Sequence, residues 1–176
     1  MTDDPAILAR AAAIELLILD VDGVLTDGRI TLTADGTELK SFHVRDGSAI
    51  AAWRALGKRV AIISGRTSQA VTLRAAELGI DPVRQGVADK RAALNGILRG
   101  AGRTLEQTCA IGDDLPDLPI LNAVGLPVAV ADACPDVLAA AKCVTTTRGG
   151  AGAVRETIEW LLQVQNTWAD VLKRFR

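Results

Sequence analysis

The sequence has 176 residues, 49% of them hydrophobic, and a formal net charge of −1. This length and apolar content suit one globular domain with a full core, and the balanced charge argues against a nucleic acid partner. No apolar run is long enough for a membrane span, and no basic N-terminal region resembles a signal peptide, so we expect a cytoplasmic protein with no membrane partner.

The residues available for chemistry are few in kind. The three cysteines, Cys109, Cys134 and Cys143, have no CxxC spacing, which argues against a zinc site or a disulfide framework. The single histidine, His43, excludes sites built from several histidines. Catalysis would therefore depend on carboxylates, Ser, Thr, Lys and Arg.

Short apolar runs alternate with helical patterns along almost the whole chain. Strands are predicted at residues 16–19, 29–33, 38–42, 59–63, about 83, 108–111, 127–130 and 143–145. Helices are predicted at residues 48–56, 67–78, 90–99, 117–122, 135–140 and 154–174. The Asp35-Gly36 step predicts a hairpin between the second and third strands. The alternation elsewhere predicts an open α/β fold with a parallel sheet.

Polar residues cluster where the predicted strands end. In such sheets the ligand site lies beyond the carboxyl ends of the strands, so these side chains are expected at one edge. They are Asp20 and Asp22 after the first strand, Ser64, Gly65 and Arg66 after the strand at 59–63, Lys90 at the start of a helix, and Asp113, Asp114 and Asp117 after the strand at 108–111.

The residue types at this edge point to phosphate chemistry. Several neighbouring carboxylates are tolerable if a hard cation lies among them, and oxygen ligands favour Mg²⁺. Ser64 with the Gly65 N–H forms a phosphate cradle, and Lys90 adds a positive charge. Of two aspartates one residue apart, one attacks phosphorus and the other transfers protons. Gly23 leaves room for backbone N–H groups to approach the phosphate.

Four segments in order resemble the motifs of the haloacid dehalogenase superfamily. They are DVDGVLTDG from Asp20, ISGR from Ile63, Lys90, and GDDLPD from Gly112, and the resemblance extends from about residue 14 to about residue 165. It implies a three-layer, Rossmann-like open sheet in a single domain over 1–176.

Further segments resemble the capless phosphatases of this superfamily that act on the 8-phosphate of an eight-carbon sugar acid in lipopolysaccharide precursor synthesis. They are the LTDG continuation, ELKSFHVRDG, PVAVADA and GGAGAVRE. The resemblance implies a hairpin at about 29–42 instead of a cap domain, a homotetramer, and a C-terminal tail and helix at about 149–176 that can reach a neighbouring active site. Ala151 departs from the pattern, because these enzymes often carry Arg or Lys there.

The resemblance also implies residue roles. Asp20 would be the nucleophile and Asp22 the acid/base; Asp20, the Asp22 carbonyl and Asp113 would hold Mg²⁺, with the acids Asp114 and Asp117 close by. The residues implied for phosphate are Ser64, Gly65, Lys90 and Gly23. The residues implied for the sugar acid are Arg66, with Arg45 and His43 as further candidates.

Three alternatives stay open. The same machinery could act on a nine-carbon sialic-type acid 9-phosphate, and the same fold could be a non-catalytic scaffold. A signalling receiver domain fits less well, because its acceptor aspartate follows a middle strand. Among single features, the loop at 149–152 could be only a hinge, and His43 could simply pack the hairpin.

Overall fold

The computed structural model describes residues 1–174, and its strands form two sheets. The strands are β1 (Leu16–Leu19), β2 (Thr31–Leu32), β3 (Glu38–Leu39), β4 (Arg59–Ile63), β5 (Val83–Arg84), β6 (Thr108–Gly112), β7 (Leu126–Ala129) and β8 (Cys143–Val144). Six of them form a parallel sheet in the order β5-β4-β1-β6-β7-β8, while β2 and β3 pair antiparallel as a separate hairpin. This confirms the predicted α/β class and the hairpin insertion.

Helices cover the parallel sheet. They are α1 (Pro5–Ala12), α2 (Val44–Ala55), α3 (Gln69–Leu78), α4 (Lys90–Ala101), α5 (Leu118–Leu121), α6 (Pro135–Ala140), α7 (Ala153–Val164) and α8 (Trp168–Lys173), and a 3₁₀ turn (Leu115–Asp117) precedes α5. Helix α7 packs against α1, α2 and α8, and α4 packs against α5 and β4. None of the helices within residues 1–174 has the length and apolar character needed to cross a membrane.

The core explains why β1 is central. All four of its residues are buried, and it pairs with β4 on one side and β6 on the other. Continuous apolar runs of this kind are typical of parallel strands covered on both faces. The three strands therefore end side by side, which brings the residues that follow them to one edge.

Several predicted boundaries were wrong. Helix α1 was not predicted, although Asp4 caps it and Pro5 opens it. Helix α2 begins at Val44, four residues before the predicted start. The predicted helix at 154–174 is two helices, because Asn166 has a φ of 57° between α7 and α8. Of the predicted tail, residues 175 and 176 lie outside the described part of the chain.

Candidate active site

Residues from all four predicted segments line one cavity at the carboxyl edge of the sheet. Its volume is about 280 Å³. The lining residues are Asp20, Asp22, Gly28, Ser64, Gly65, Arg66, Lys90, Asp113, Asp114, Pro116 and Asp117. The parallel register of β4, β1 and β6 produces this arrangement.

Three carboxylates converge at the floor of this cavity. One oxygen each from Asp20, Asp113 and Asp117 lies within 4.8 Å of the others. Asp113 Oδ1 is buried, and no residue within 1–174 donates a hydrogen bond to it, whereas the buried Asp20 Oδ1 has Lys90 Nζ at 3.0 Å. Buried acceptors normally have a partner, so the Asp113 oxygen, with the other two carboxylates close by, is suited to a cation. Carboxylate oxygens without histidine or cysteine fit Mg²⁺.

Lys90 supplies the positive charge of the cluster. It is the first residue of α4 and only 5% exposed. Its Nζ lies 2.7 Å from Asp117 Oδ1 and 3.0 Å from Asp20 Oδ1. Burial alone would lower the pKa of Lys90, but the carboxylates of Asp20 and Asp117 outweigh burial and raise it. The ammonium group therefore stays charged and offsets part of the acidic cluster.

The crowded carboxyl groups of this site have raised pKa values. Burial, with repulsion from Asp117, raises the pKa of Asp20 to about 6, although Lys90 opposes the rise. Burial and the neighbouring charges of Asp20, Asp117 and Asp114 raise the pKa of Asp113 to about 7. Without a bound cation, the protein offsets only part of the negative charge of this site. This is the expected state of an acidic site that takes a cation.

Asp114 and Asp117 have clearly different surroundings. Asp117 is buried, and its Oδ2 accepts the N–H of Asp113 at 3.0 Å. Asp114 is exposed beside it. The GDDLPD spacing alone could not show which of the two aspartates points into the protein. The 3₁₀ turn that directs Asp117 towards Lys90 depends on the packing of α5.

A tight turn follows β1 and places Asp22. The N–H groups of Val24, Leu25 and Thr26 all donate to the carbonyl of Val21. Gly23 has a φ of +89°, and a Cβ there would lie 2.0 Å from Asp113 Oδ2, so only glycine fits.

The loop at 149–152 supports this turn from behind. A Cβ on Gly149 would lie 1.7 Å from the Gly23 carbonyl oxygen, and the Gly150 N–H donates to Val24 O at 2.9 Å. Gly149 and Gly150 therefore do more than connect two elements, because both pack against the turn that carries Asp22.

The predicted phosphate cradle lies at the end of β4. Ser64 is buried, and its Oγ accepts the Arg66 N–H at 3.3 Å. Gly65 is exposed to the cavity, with no backbone or side-chain atom closer than 3.8 Å to the position of a Cβ. Ser64 and Gly65 thus line the same cavity as Lys90.

The hairpin contributes two residues that the sequence did not single out. Lys40 forms ion pairs with Asp22 and Glu38, and its side chain is only 1% exposed. Arg66 Nη2 lies 2.7 Å from Glu38 Oε1, and Arg66 Nε lies 3.7 Å from Asp22 Oδ2. Sequence spacing gives no signal for contacts between an insertion and a strand end.

The structure does not bring His43 and Arg45 to the cavity within one chain. His43 caps α2, where its Nδ1 accepts the Arg45 N–H at 3.2 Å. Arg45 lines a separate cleft of about 520 Å³ with Arg155 and Trp160. A substrate contact by either residue stays a prediction.

Comparisons with known proteins agree with this geometry. Residues 82–158 match the model of a family described as haloacid dehalogenase-like hydrolase. The chain is 46% identical over 159 residues, 90% of its length and 85% of the relative's, to 3-deoxy-D-manno-octulosonate 8-phosphate phosphatase KdsC of Escherichia coli K12.

Solved structures give the same result. The phosphatase of this name from Moraxella catarrhalis, in complex with magnesium, phosphate and KDO, has a TM-score of 0.94 at 41% identity and covers 97% of this chain and 98% of its own. The cobalt-bound enzyme from Haemophilus influenzae has a TM-score of 0.89 at 41% identity, covering 93% and 99%. The chain therefore belongs to the 3-deoxy-D-manno-octulosonate 8-phosphate phosphatase family of haloacid dehalogenase-like hydrolases.

Proposed function

We propose that this protein is a Mg²⁺-dependent phosphatase that hydrolyses 3-deoxy-D-manno-octulosonate 8-phosphate to the free sugar acid and phosphate. The observation that carries the proposal is the convergence of the Asp20, Asp113 and Asp117 carboxylates beside Lys90, with a buried Asp113 oxygen to which no described residue donates. The names of the relatives favour the eight-carbon acid over a nine-carbon acid 9-phosphate.

The donor set fits magnesium. Asp20, Asp113 and the backbone carbonyl of Asp22 would hold the ion, with Asp117 close behind. When bound, the ion supplies positive charge that offsets the carboxylates and the phosphoryl oxygens. Ser64, Gly65, Gly23 and Lys90 would bind those oxygens as well.

The chain's own residues then divide hydrolysis into two displacements. A carboxylate oxygen of Asp20 attacks phosphorus, the bond from phosphorus to the sugar oxygen breaks, and the Asp22 carboxyl gives its proton to that oxygen. Asp22 then takes a proton from water, the water oxygen attacks phosphorus, and the bond from phosphorus to Asp20 breaks. Inorganic phosphate leaves, and both aspartates return to their starting states.

Recognition of the sugar acid would fall to Arg66. Its side chain is 48% exposed at the cavity mouth, so its guanidinium can meet an entering carboxylate in the two-pronged geometry that arginine favours. Arg45 and His43 lie away from this cavity, so a contact from them would have to come from another subunit.

We also propose that the protein is a homotetramer assembled through its hairpins. Three large apolar side chains on the hairpin, Ile30, Leu32 and Leu39, are each more than half exposed in the single chain. Burying them against other copies would remove this apolar surface from water. A cytoplasmic location and a contact from the C-terminal tail to a neighbouring site stay predictions.

Three measurements test the activity. Phosphate release from a panel of eight- and nine-carbon sugar-acid phosphates should be greatest for the eight-carbon ester, and EDTA should abolish it until Mg²⁺ is added back.

Asp20→Asn should abolish turnover of every ester while circular dichroism stays unchanged. Asp22→Asn should slow hydrolysis by about 10²–10⁴-fold. Near-normal turnover by Asp20→Asn would refute the nucleophile assignment.

A further inference from the structure

The guanidinium expected to bind the substrate carboxylate already holds a carboxylate of the same chain. Arg66 Nη2 lies 2.7 Å from Glu38 Oε1 on the hairpin. The two residues come from different elements, β3 and the turn after β4, so their contact joins the hairpin to the wall of the cavity. Glu38 therefore sits where a sugar-acid carboxylate would meet Arg66.

Glu38 has a second cation within reach. Lys40 Nζ lies 3.5 Å from Glu38 Oε1 and also contacts Asp22, and its side chain is almost completely buried. If Glu38 left Arg66, its charge would stay paired with Lys40. Because unpaired charges in partly buried sites are costly, this second partner makes the departure inexpensive.

The hairpin is built to allow such a shift. Strands β2 and β3 have two residues each and form a sheet separate from the six-stranded one. A two-stranded hairpin of this size has little stability of its own. Small displacements of Glu38 are therefore easy, whereas Arg66 is anchored next to the buried end of β4.

We propose that Glu38 is a specificity residue that occupies Arg66 in the free enzyme and is exchanged for the carboxylate of the substrate. The inference rests on the proposed recognition of a sugar acid by Arg66. A ligand with a carboxylate replaces the ion pair between Arg66 and Glu38 with an ion pair between Arg66 and the ligand. An ester without a carboxylate gives Arg66 no replacement, so Glu38 stays paired with Arg66.

The test is Glu38→Gln, which keeps the size of the side chain and removes its charge. Because the neutral side chain of this variant would compete less with the substrate for Arg66, the KM for the eight-carbon sugar-acid phosphate should fall relative to the KM for p-nitrophenyl phosphate. The ratio of the two KM values should fall by about two- to five-fold, the range expected for one exposed ion pair. Glu77→Gln is the matched control, because Glu77 is an exposed carboxylate paired with Arg74 away from this cavity. It should leave the ratio unchanged.

The variant Arg66→Ala separates the proposed role of Arg66 from the proposed role of Glu38. It should raise the KM for the sugar-acid phosphate more than that for p-nitrophenyl phosphate; an equal effect on both would refute the proposed role of Arg66 itself. In the Arg66→Ala background, Glu38→Gln should no longer change the ratio. If Arg66→Ala discriminates but Glu38→Gln alone leaves the ratio unchanged or raises it, the exchange is refuted while the proposed function stands.

Discussion

Two regions of the molecule each bury a lysine between two carboxylates, but on very different frameworks. At the sheet edge, Lys90 lies between Asp20 and Asp117, whose side chains are 12% and 6% exposed. At the hairpin, Lys40 lies between Asp22 and Glu38, which are 19% and 16% exposed. The first lysine is held by a long helix and a buried sheet, and the second by strands of two residues. The contrast separates a charge cluster held by the central sheet from one that depends on how the hairpin folds back.

The largest expected effect is on stability at the sheet edge. Lys90→Met leaves two buried carboxylates without their cation, so the free energy of unfolding without metal should fall by about 3–5 kcal/mol. Lys40→Met should lower it by less, because Asp22 and Glu38 each keep an ion pair with Arg66. Urea unfolding of both variants measures the difference. An equal loss in the two variants would remove the distinction between the regions.

Next in size is the difference between the two neighbouring acids. Asp117→Asn removes the charge that anchors Lys90 and weakens the hold on the Asp113 backbone, so the affinity for Mg²⁺ should fall by about 10–100-fold. The exposed Asp114 serves as the matched control, and Asp114→Asn should have a much smaller effect. Calorimetric titration with Mg²⁺ measures both. A larger effect for Asp114→Asn would reverse the assignment.

The raised pKa values of Asp20 and Asp113 predict how pH affects stability. Folded Asp20 and Asp113 keep their protons up to about pH 6 and 7, whereas in the unfolded chain both lose them near pH 4. Their contribution to stability is therefore complete below about pH 4 and is lost as pH rises through 6 and 7.

Bound Mg²⁺ should offset that loss, because it stabilises the charged carboxylates and binds more tightly once they have lost their protons. The increase in Tm caused by Mg²⁺ should therefore be larger at pH 8 than at pH 5. Asp113→Asn, whose amide does not titrate, should reduce the loss of stability with rising pH in EDTA. An increase of the same size at both pH values would contradict the role given to these two acids.

The smallest effect on the single chain is expected at the hairpin surface. Leu32→Ser with Leu39→Ser removes exposed apolar side chains, so the stability of the isolated fold should change by less than about 0.5 kcal/mol. The assembly should dissociate if the hairpins hold it together. Sedimentation velocity measures the mass, and Leu73→Ser, an exposed leucine on α3, is the control. Tetramers that persist in the hairpin variant would place the interface elsewhere.

The sheet and the acidic residues at its carboxyl edge could be predicted because they depend on local patterns. Buried runs such as Leu16–Leu19 mark the parallel strands, and the acids that follow them meet by topology. The contacts of Lys40 and Glu38 could not be predicted, since they depend on how an insertion folds back. The start of α2 was missed because Asp46 and Gly47 resemble a turn, whereas Asp46 is buried and accepts the Arg155 N–H at 2.7 Å. The Asp4-Pro5 pair is itself a signal for the start of α1, since Asp4 caps the helix and Pro5 opens it.

The close approach of Gly149 to Gly23 has a consequence for biosynthesis. The turn that carries Asp22 leaves the ribosome before the backbone that packs behind it, which is translated more than a hundred residues later. A nascent chain holds both aspartates long before their supporting loop exists. Phosphatase competence should therefore arise late in translation, once the last strand and its loop have emerged.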